Sequence, residues 1–200
     1  MKQLLFILSL ILLLPLLSAC ERAPQPLPEK AVILAFGDSI TFGKGANPNE
    51  SYPAVLEGLV GRKVVNAGVL GETTAAGVAR LPTLLEEVKP KLVIICHGGE
   101  DMIQSLDGNK LMANLRTMIE QIRKSGSDVL LVAVPPPAAF YQPAPFYNLV
   151  ARETKSSIEV LALSNILSDK NMQSEGIYPN AKGYAALAKA LAKRITSAKP

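Results

Sequence analysis

Four short stretches carry side chains able to do chemistry, and each is set among glycines. Gly37-Asp38-Ser39 offers a hydroxyl beside a carboxylate, and Asn66-Ala67-Gly68-Val69-Leu70-Gly71-Glu72-Thr73 offers backbone N–H groups bared by two glycines. Gly98-Gly99-Glu100-Asp101 offers paired acids, and Glu175-Gly176-Ile177-Tyr178-Pro179-Asn180 adds a further carboxylate and a phenol. A small hydroxyl between glycines can be reached by a carbonyl carbon, and nearby N–H groups can hold the oxyanion that forms. The same residues have a plainer use, in which Asp38 and Ser39 cap a helix and the glycine pairs make turns. Which use applies depends on whether the four stretches meet.

The elements between them say that they can. Continuous apolar runs at 31–36, 63–66, 91–96, 128–134 and 158–161 have the length of strands buried on both faces. Amphipathic stretches near 52–60, 73–88, 110–124, 146–155 and 180–195 read as helices. Strand and helix alternate without hairpin signals, which predicts parallel strands joined by right-handed crossovers. The expected fold is α/β, a three-layer α/β/α sandwich on a flavodoxin-like, parallel five-stranded sheet. The first three stretches follow the first three strands, so all open on the carboxyl edge, where such sheets bind ligands. The fourth precedes the last helix and can join them there. That helix sets Tyr184, Leu187, Leu191 and Ile195 on one face, with Lys182, Lys189, Lys193 and Arg194 largely on a solvated one.

Taken together and in this order, the four stretches resemble those of the SGNH (also called GDSL) hydrolases, in particular the bacterial periplasmic thioesterase/lysophospholipase and arylesterase branch. The resemblance runs from residue 31 to the last helix and includes Ser51-Tyr52-Pro53-Ala54 and Met172-Gln173. It implies that Ser39 is the nucleophile. It also implies an oxyanion hole from the Ser39 N–H, Gly71 and the residue at position 100, with the family's Asp and His falling on Glu175 and Tyr178. No metal and no cofactor is implied, and the ligand would be a small acyl ester or lipid-like molecule.

The departures fall on the positions that do chemistry. A phenol, ordinarily titrating near ~10, is a donor at neutral pH and does not take a serine proton. Losing a general base costs ~10²- to 10⁴-fold. Glu100 puts a carboxylate where the family has an amide donor, and an ionised carboxylate repels an oxyanion. The expected function is therefore that of an SGNH-type ester hydrolase of esterase, lysophospholipase or thioesterase kind with weakened or lost turnover. The alternative is a non-catalytic envelope protein that keeps the cleft for an acyl, lipid or glycan ligand or a protein partner.

Three features bear on whether these losses are compensated. His97, the single histidine, ends a strand and reads as bonded to nearby backbone. Lys182, one turn beyond Tyr178, could favour a phenolate. Asp38, Asp101 and Glu175 could crowd a proton onto Glu100 or gather a hard cation, although acids in tight turns ordinarily tie down loop backbone. Pro135-Pro136-Pro137 leads into Phe140, Tyr141, Phe146 and Tyr147, which either line an apolar cleft or pack into the core.

Two hundred residues, 48% of them hydrophobic, suffice for one domain with a sizeable core. Lys2, the apolar run from Leu4 to Leu17 and the small residues before Cys20 read as a signal peptide over 1–19. Leu17-Ser18-Ala19-Cys20 resembles the bacterial lipoprotein box, which implies lipid on Cys20. Residues 20–30, with three prolines, read as a tether, and 31–198 as the domain. Glu21 after the cysteine implies the bacterial cell envelope, on the outer membrane facing the periplasm. Cys96, inside a strand, reads as a buried small hydrophobe. A net charge of +4, scattered, argues against nucleic acid, and a monomer is expected.

Overall fold

The computed structural model describes residues 27–137, 141–174 and 177–197. Its five strands are β1 (Val32–Gly37), β2 (Lys63–Gly68), β3 (Leu92–Cys96), β4 (Asp128–Val132) and β5 (Ser157–Glu159). All are parallel, in the order β2-β1-β3-β4-β5. The reversal of direction between β1 and β3 creates the crevice at which open sheets of this kind bind ligands. β3 is buried at every residue, and β1 and β4 at all but their first, as expected of strands covered on both faces.

Eight α-helices accompany them: α1 (Ser39–Phe42), α2 (Tyr52–Val60), α3 (Thr74–Val88), α4 (Gly99–Ile103), α5 (Gly108–Lys124), α6 (Pro145–Thr154), α7 (Ala162–Ser168) and α8 (Ala181–Thr196). α2 packs on α8, while α3, α5 and α6 pack in sequence with one another. The fold is the expected three-layer α/β sandwich. α5 shows how the sequence specifies it. Asp107 caps its start by accepting from the Asn109 N–H at 2.8 Å, and Arg123 and Lys124 sit at its end. Leu111, Leu115, Met118 and Ile122, spaced three and four apart, bury one face. In α8 the expected stripe of Tyr184, Leu187, Leu191 and Ile195 is buried.

The differences from expectation lie at element ends. α1, α4 and α7 are too short to display a helical period. β5 stops at Glu159 rather than Leu161 because the Glu159 carboxylate accepts from the Leu161 and Ala162 N–H groups, both at 3.2 Å, and so starts α7.

The carboxyl edge is braced by three fully buried tyrosines. Tyr52 shares a hydrogen bond with Thr41 at 3.1 Å, Tyr147 donates to the His97 carbonyl at 2.8 Å, and Tyr184 donates to the Lys44 carbonyl at 2.7 Å. Each hydroxyl is satisfied while its ring fills the core. At the opposite edge, the Arg62 guanidinium donates to the carbonyls of Leu27 and Pro28, at 3.3 and 2.9 Å, and fixes where the chain enters β1.

Candidate active site

β1 ends in Gly37 because nothing larger fits: a Cβ there would lie 1.9 Å from the Cys96 carbonyl oxygen of the neighbouring strand. The chain then turns, and Asp38 caps α1, one carboxylate oxygen accepting from the Ile40 N–H at 3.2 Å and the other from the Gly99 N–H at 3.0 Å. Burial pushes the Asp38 carboxyl up, although His97 and these N–H groups pull it the other way. Asp38 thus ties the loop after β1 to the loop after β3. Ser39, the first residue of α1, is left with its hydroxyl at the edge of the sheet, 6% exposed.

The loop after β2 delivers the second element. Gly71, in the left-handed region at φ +70°, turns its N–H onto the Ser39 Oγ at 3.1 Å. The nucleophile candidate and the expected oxyanion donor are therefore in direct contact. Next to Gly71, buried Glu72 accepts both fork nitrogens of Arg80, at 2.7 and 2.6 Å, and meets His97 Nε2 at 3.2 Å. Burial alone would raise this carboxyl. The hydrogen bonds and charges of Arg80 and His97 outweigh it and hold the group at about 2.

The single histidine is spoken for. His97 is fully buried, and its Nδ1 accepts from the Gly98 N–H at 3.0 Å. That fixes the tautomer with the proton on Nε2, directed at Glu72. The ring lies 5.6 Å from that of Phe36, over which Arg80 also stacks at 4.5 Å. Cys96, fully buried before it, has its thiol pushed well above the ordinary range by burial.

The acids after β3 do not gather. Asp101 accepts from the Thr74 N–H at 2.8 Å and the Thr74 hydroxyl at 2.6 Å, tying this loop to the start of α3. The Glu100 carboxylate accepts from the Gln104 amide at 2.7 Å. Among the described residues no group of three His, Cys, Asp or Glu side chains is placed to hold a metal.

A shallow cleft, open to solvent, lies over Ser39. Glu100 and Tyr178 share its polar side. Ile103, Val134, Pro135, Leu167 and Ile177 form the apolar wall. The aromatics of the loop after β4 divide: Tyr141 lines the cleft, whereas Tyr147 is buried with Phe146 against it at 4.4 Å. Phe42, Leu70 and Ile103 stand 49%, 51% and 42% exposed on the segments that frame Ser39, an apolar rim.

Tyr178 is half-buried, and the ammonium beside it is not that of Lys182, which is exposed on α8. It is Lys44, whose Nζ donates to the phenol oxygen at 3.4 Å and lies 4.4 Å from the ring centroid. Lys44 follows Ser39 by one turn and no periodicity marks it, so sequence reasoning missed it. Glu175, Phe140 and Cys20, with the signal peptide and most of the tether, lie outside the described residues.

Comparison with known proteins gives the family and the fold. Residues 35–186 match the model of the GDSL-like Lipase/Acylhydrolase family. Over 158 residues the chain is 34% identical to Esterase TesA of Pseudomonas aeruginosa, covering 74% of this chain and 79% of that protein. Over 171 residues it is 28% identical to the thioesterase/protease/lysophospholipase of Escherichia coli, covering 82% of each. Among solved structures, the psychrotrophic esterase EstA from Pseudoalteromonas sp. shares the fold with a TM-score of 0.75. That match covers 84% of this chain and 98% of the other at 20% identity.

Proposed function

Because the chain belongs to the GDSL-like lipase/acylhydrolase family, we propose that it takes small acyl esters or lipid-like acyl ligands into the Ser39 cleft and turns them over poorly at neutral pH. One observation carries the second half. The only histidine is committed at both ring nitrogens to Glu72 and the Gly98 N–H, and a phenol occupies the cleft at position 178. The first half is supported by the Gly71 N–H on Ser39 Oγ and by the apolar wall and rim. The purified protein should hydrolyse p-nitrophenyl butyrate at pH 7 no faster than its Ser39→Ala variant, while binding a fluorescent fatty acyl probe in the cleft. Rapid hydrolysis at pH 7 that disappears in Ser39→Ala would overturn the impaired reading.

A second reading, a non-catalytic envelope binding protein, is favoured by one feature, the Glu100 carboxylate on the cleft wall. An acceptor there disfavours an oxyanion but leaves an uncharged ligand untouched. Acyl-probe binding without any Ser39 reactivity would select this reading.

We further propose that Cys20 carries lipid and holds a monomeric domain in the bacterial cell envelope, on the outer membrane facing the periplasm. Cys20→Ser should move the protein from the membrane fraction to the soluble one.

A further inference from the structure

We propose that Tyr178 and Lys44 together form the proton acceptor for Ser39, an alkaline counterpart of the missing imidazole. This rests on the reading that Ser39 is an acyl-accepting hydroxyl, and deepens it. Lys44 Nζ donates to the phenol oxygen at 3.4 Å and lies 4.4 Å from the ring centroid, so an ammonium stands beside the atom that would take the Ser39 proton.

The pair is built into the nucleophile's own loop. The Lys44 N–H donates to the Ser39 carbonyl at 3.0 Å, and the Lys44 carbonyl accepts from the buried Tyr184 hydroxyl at 2.7 Å. Tyr178 is held in turn through its carbonyl, which accepts from the Ser174 N–H at 2.9 Å and the Ser174 hydroxyl at 3.1 Å. Tyr178 and Ser39 line the same cleft.

Among the described residues, four other titratable groups line the cleft with Tyr178 or interact with it. Asp38 comes from the end of β1, Glu100 from α4, Tyr141 from the loop after β4 and Tyr184 from α8. Asp38 is buried and occupied by the N–H groups of Ile40 and Gly99. Glu100 opposes a phenolate but is drawn towards Gln104. Lys44 is the cation in contact with the phenol.

The step balances without an outside reagent. The Ser39 proton passes to the Tyr178 phenolate oxygen as Oγ bonds to the acyl carbon, and the carbonyl electron pair moves onto its oxygen, near the Gly71 N–H. Collapse of that intermediate breaks the bond to the leaving group, which takes the proton back from Tyr178. Water then attacks the acyl-serine, gives its proton to the phenolate and releases the acid, and the Ser39 oxygen leaves with the proton from Tyr178.

An imidazole base would bring reactivity in near pH ~6.5. A phenol brings it in only above neutrality, and the ammonium that assists it must itself remain protonated.

The test is the rate at which a fluorophosphonate labels the protein between pH 6 and 10. Labelling of the unaltered protein should be very slow at pH 7 and climb above pH 8. Tyr178→Phe should label about 10²-fold more slowly at pH 9 with an unchanged melting temperature. Lys44→Met should move the rise to higher pH, and Lys182→Met should not move it. Tyr178→His should bring the rise down towards pH ~6.5.

Equal labelling of Tyr178→Phe and the unaltered protein at pH 9 overturns the pair. An unchanged profile in Lys44→Met overturns the part given to Lys44. Failure to label at any pH, with acyl-probe binding intact, overturns the pair while leaving the cleft's proposed ligand standing. Failure of both labelling and probe binding overturns the two together.

Discussion

At position 178 a phenol stands beside an ammonium, and at position 100 a carboxylate lines the same cleft as Ser39. The two groups come from separate parts of the chain, α4 and the loop before α8. Tyr178→His with Glu100→Asn should raise p-nitrophenyl butyrate turnover at pH 7 by at least ~10²-fold, since a base and a donor are each worth about that much or more. No gain would mean that Ser39 is not aligned for attack. Gly37 is the residue with the least freedom. Gly37→Ala drives a methyl group into the Cys96 carbonyl and should cost about 3 kcal/mol in denaturant unfolding, through displacement of β1 from β3.

At the scale of elements, the loops after β1, β2 and β3 are held together by buried carboxylates. Asp38 joins the first loop to the third, Asp101 joins the third to the start of α3, and Glu72 with Arg80 and His97 joins the second to the third. The position of the Gly71 N–H therefore depends on Glu72 being ionised. Its folded-state value of about 2 lies below the ordinary 4.5, so its contribution to stability is complete above about pH 4.5 and is lost as pH falls towards 2. Asp38, pushed up by burial, works in the opposite sense, its contribution falling as pH rises. Urea midpoints should fall between pH 5 and pH 3, and Glu72→Gln should start lower and respond less over that range. Much of this edge was legible in the sequence, because each loop follows an uninterrupted apolar run and strand ends in parallel sheets share an edge. That Ser39 and Gly71 lie on one edge follows from that rule, and their pairing was what the family resemblance implied. The Glu72–Arg80–His97 connection does not, because its members are 8 and 25 residues apart and meet only through helix packing. The short helices α1, α4 and α7 were illegible for a different reason: four to seven residues do not complete a pattern.

At the scale of the whole molecule, the described residues contain no helix long and apolar enough to cross a membrane. The proposed lipid on Cys20 would hold the domain by its N-terminal end, which Arg62 pins by the carbonyls of Leu27 and Pro28 at the amino ends of the strands. Ser39 sits at the other end. At ~3.5 Å per residue the seven residues from Cys20 to Leu27 reach at most ~25 Å, short of the ~40 Å across a domain of this size. In vesicles carrying the lipidated protein, a water-soluble acyl probe should therefore bind as well as it does to the free domain, while the same acyl group on a lipid of the same vesicle should not. With lipid on Cys20 as proposed, the leaflet that holds this protein is not the one it samples. An acyl ligand would have to be shed into the aqueous gap, or be offered by a facing surface, before the two could meet.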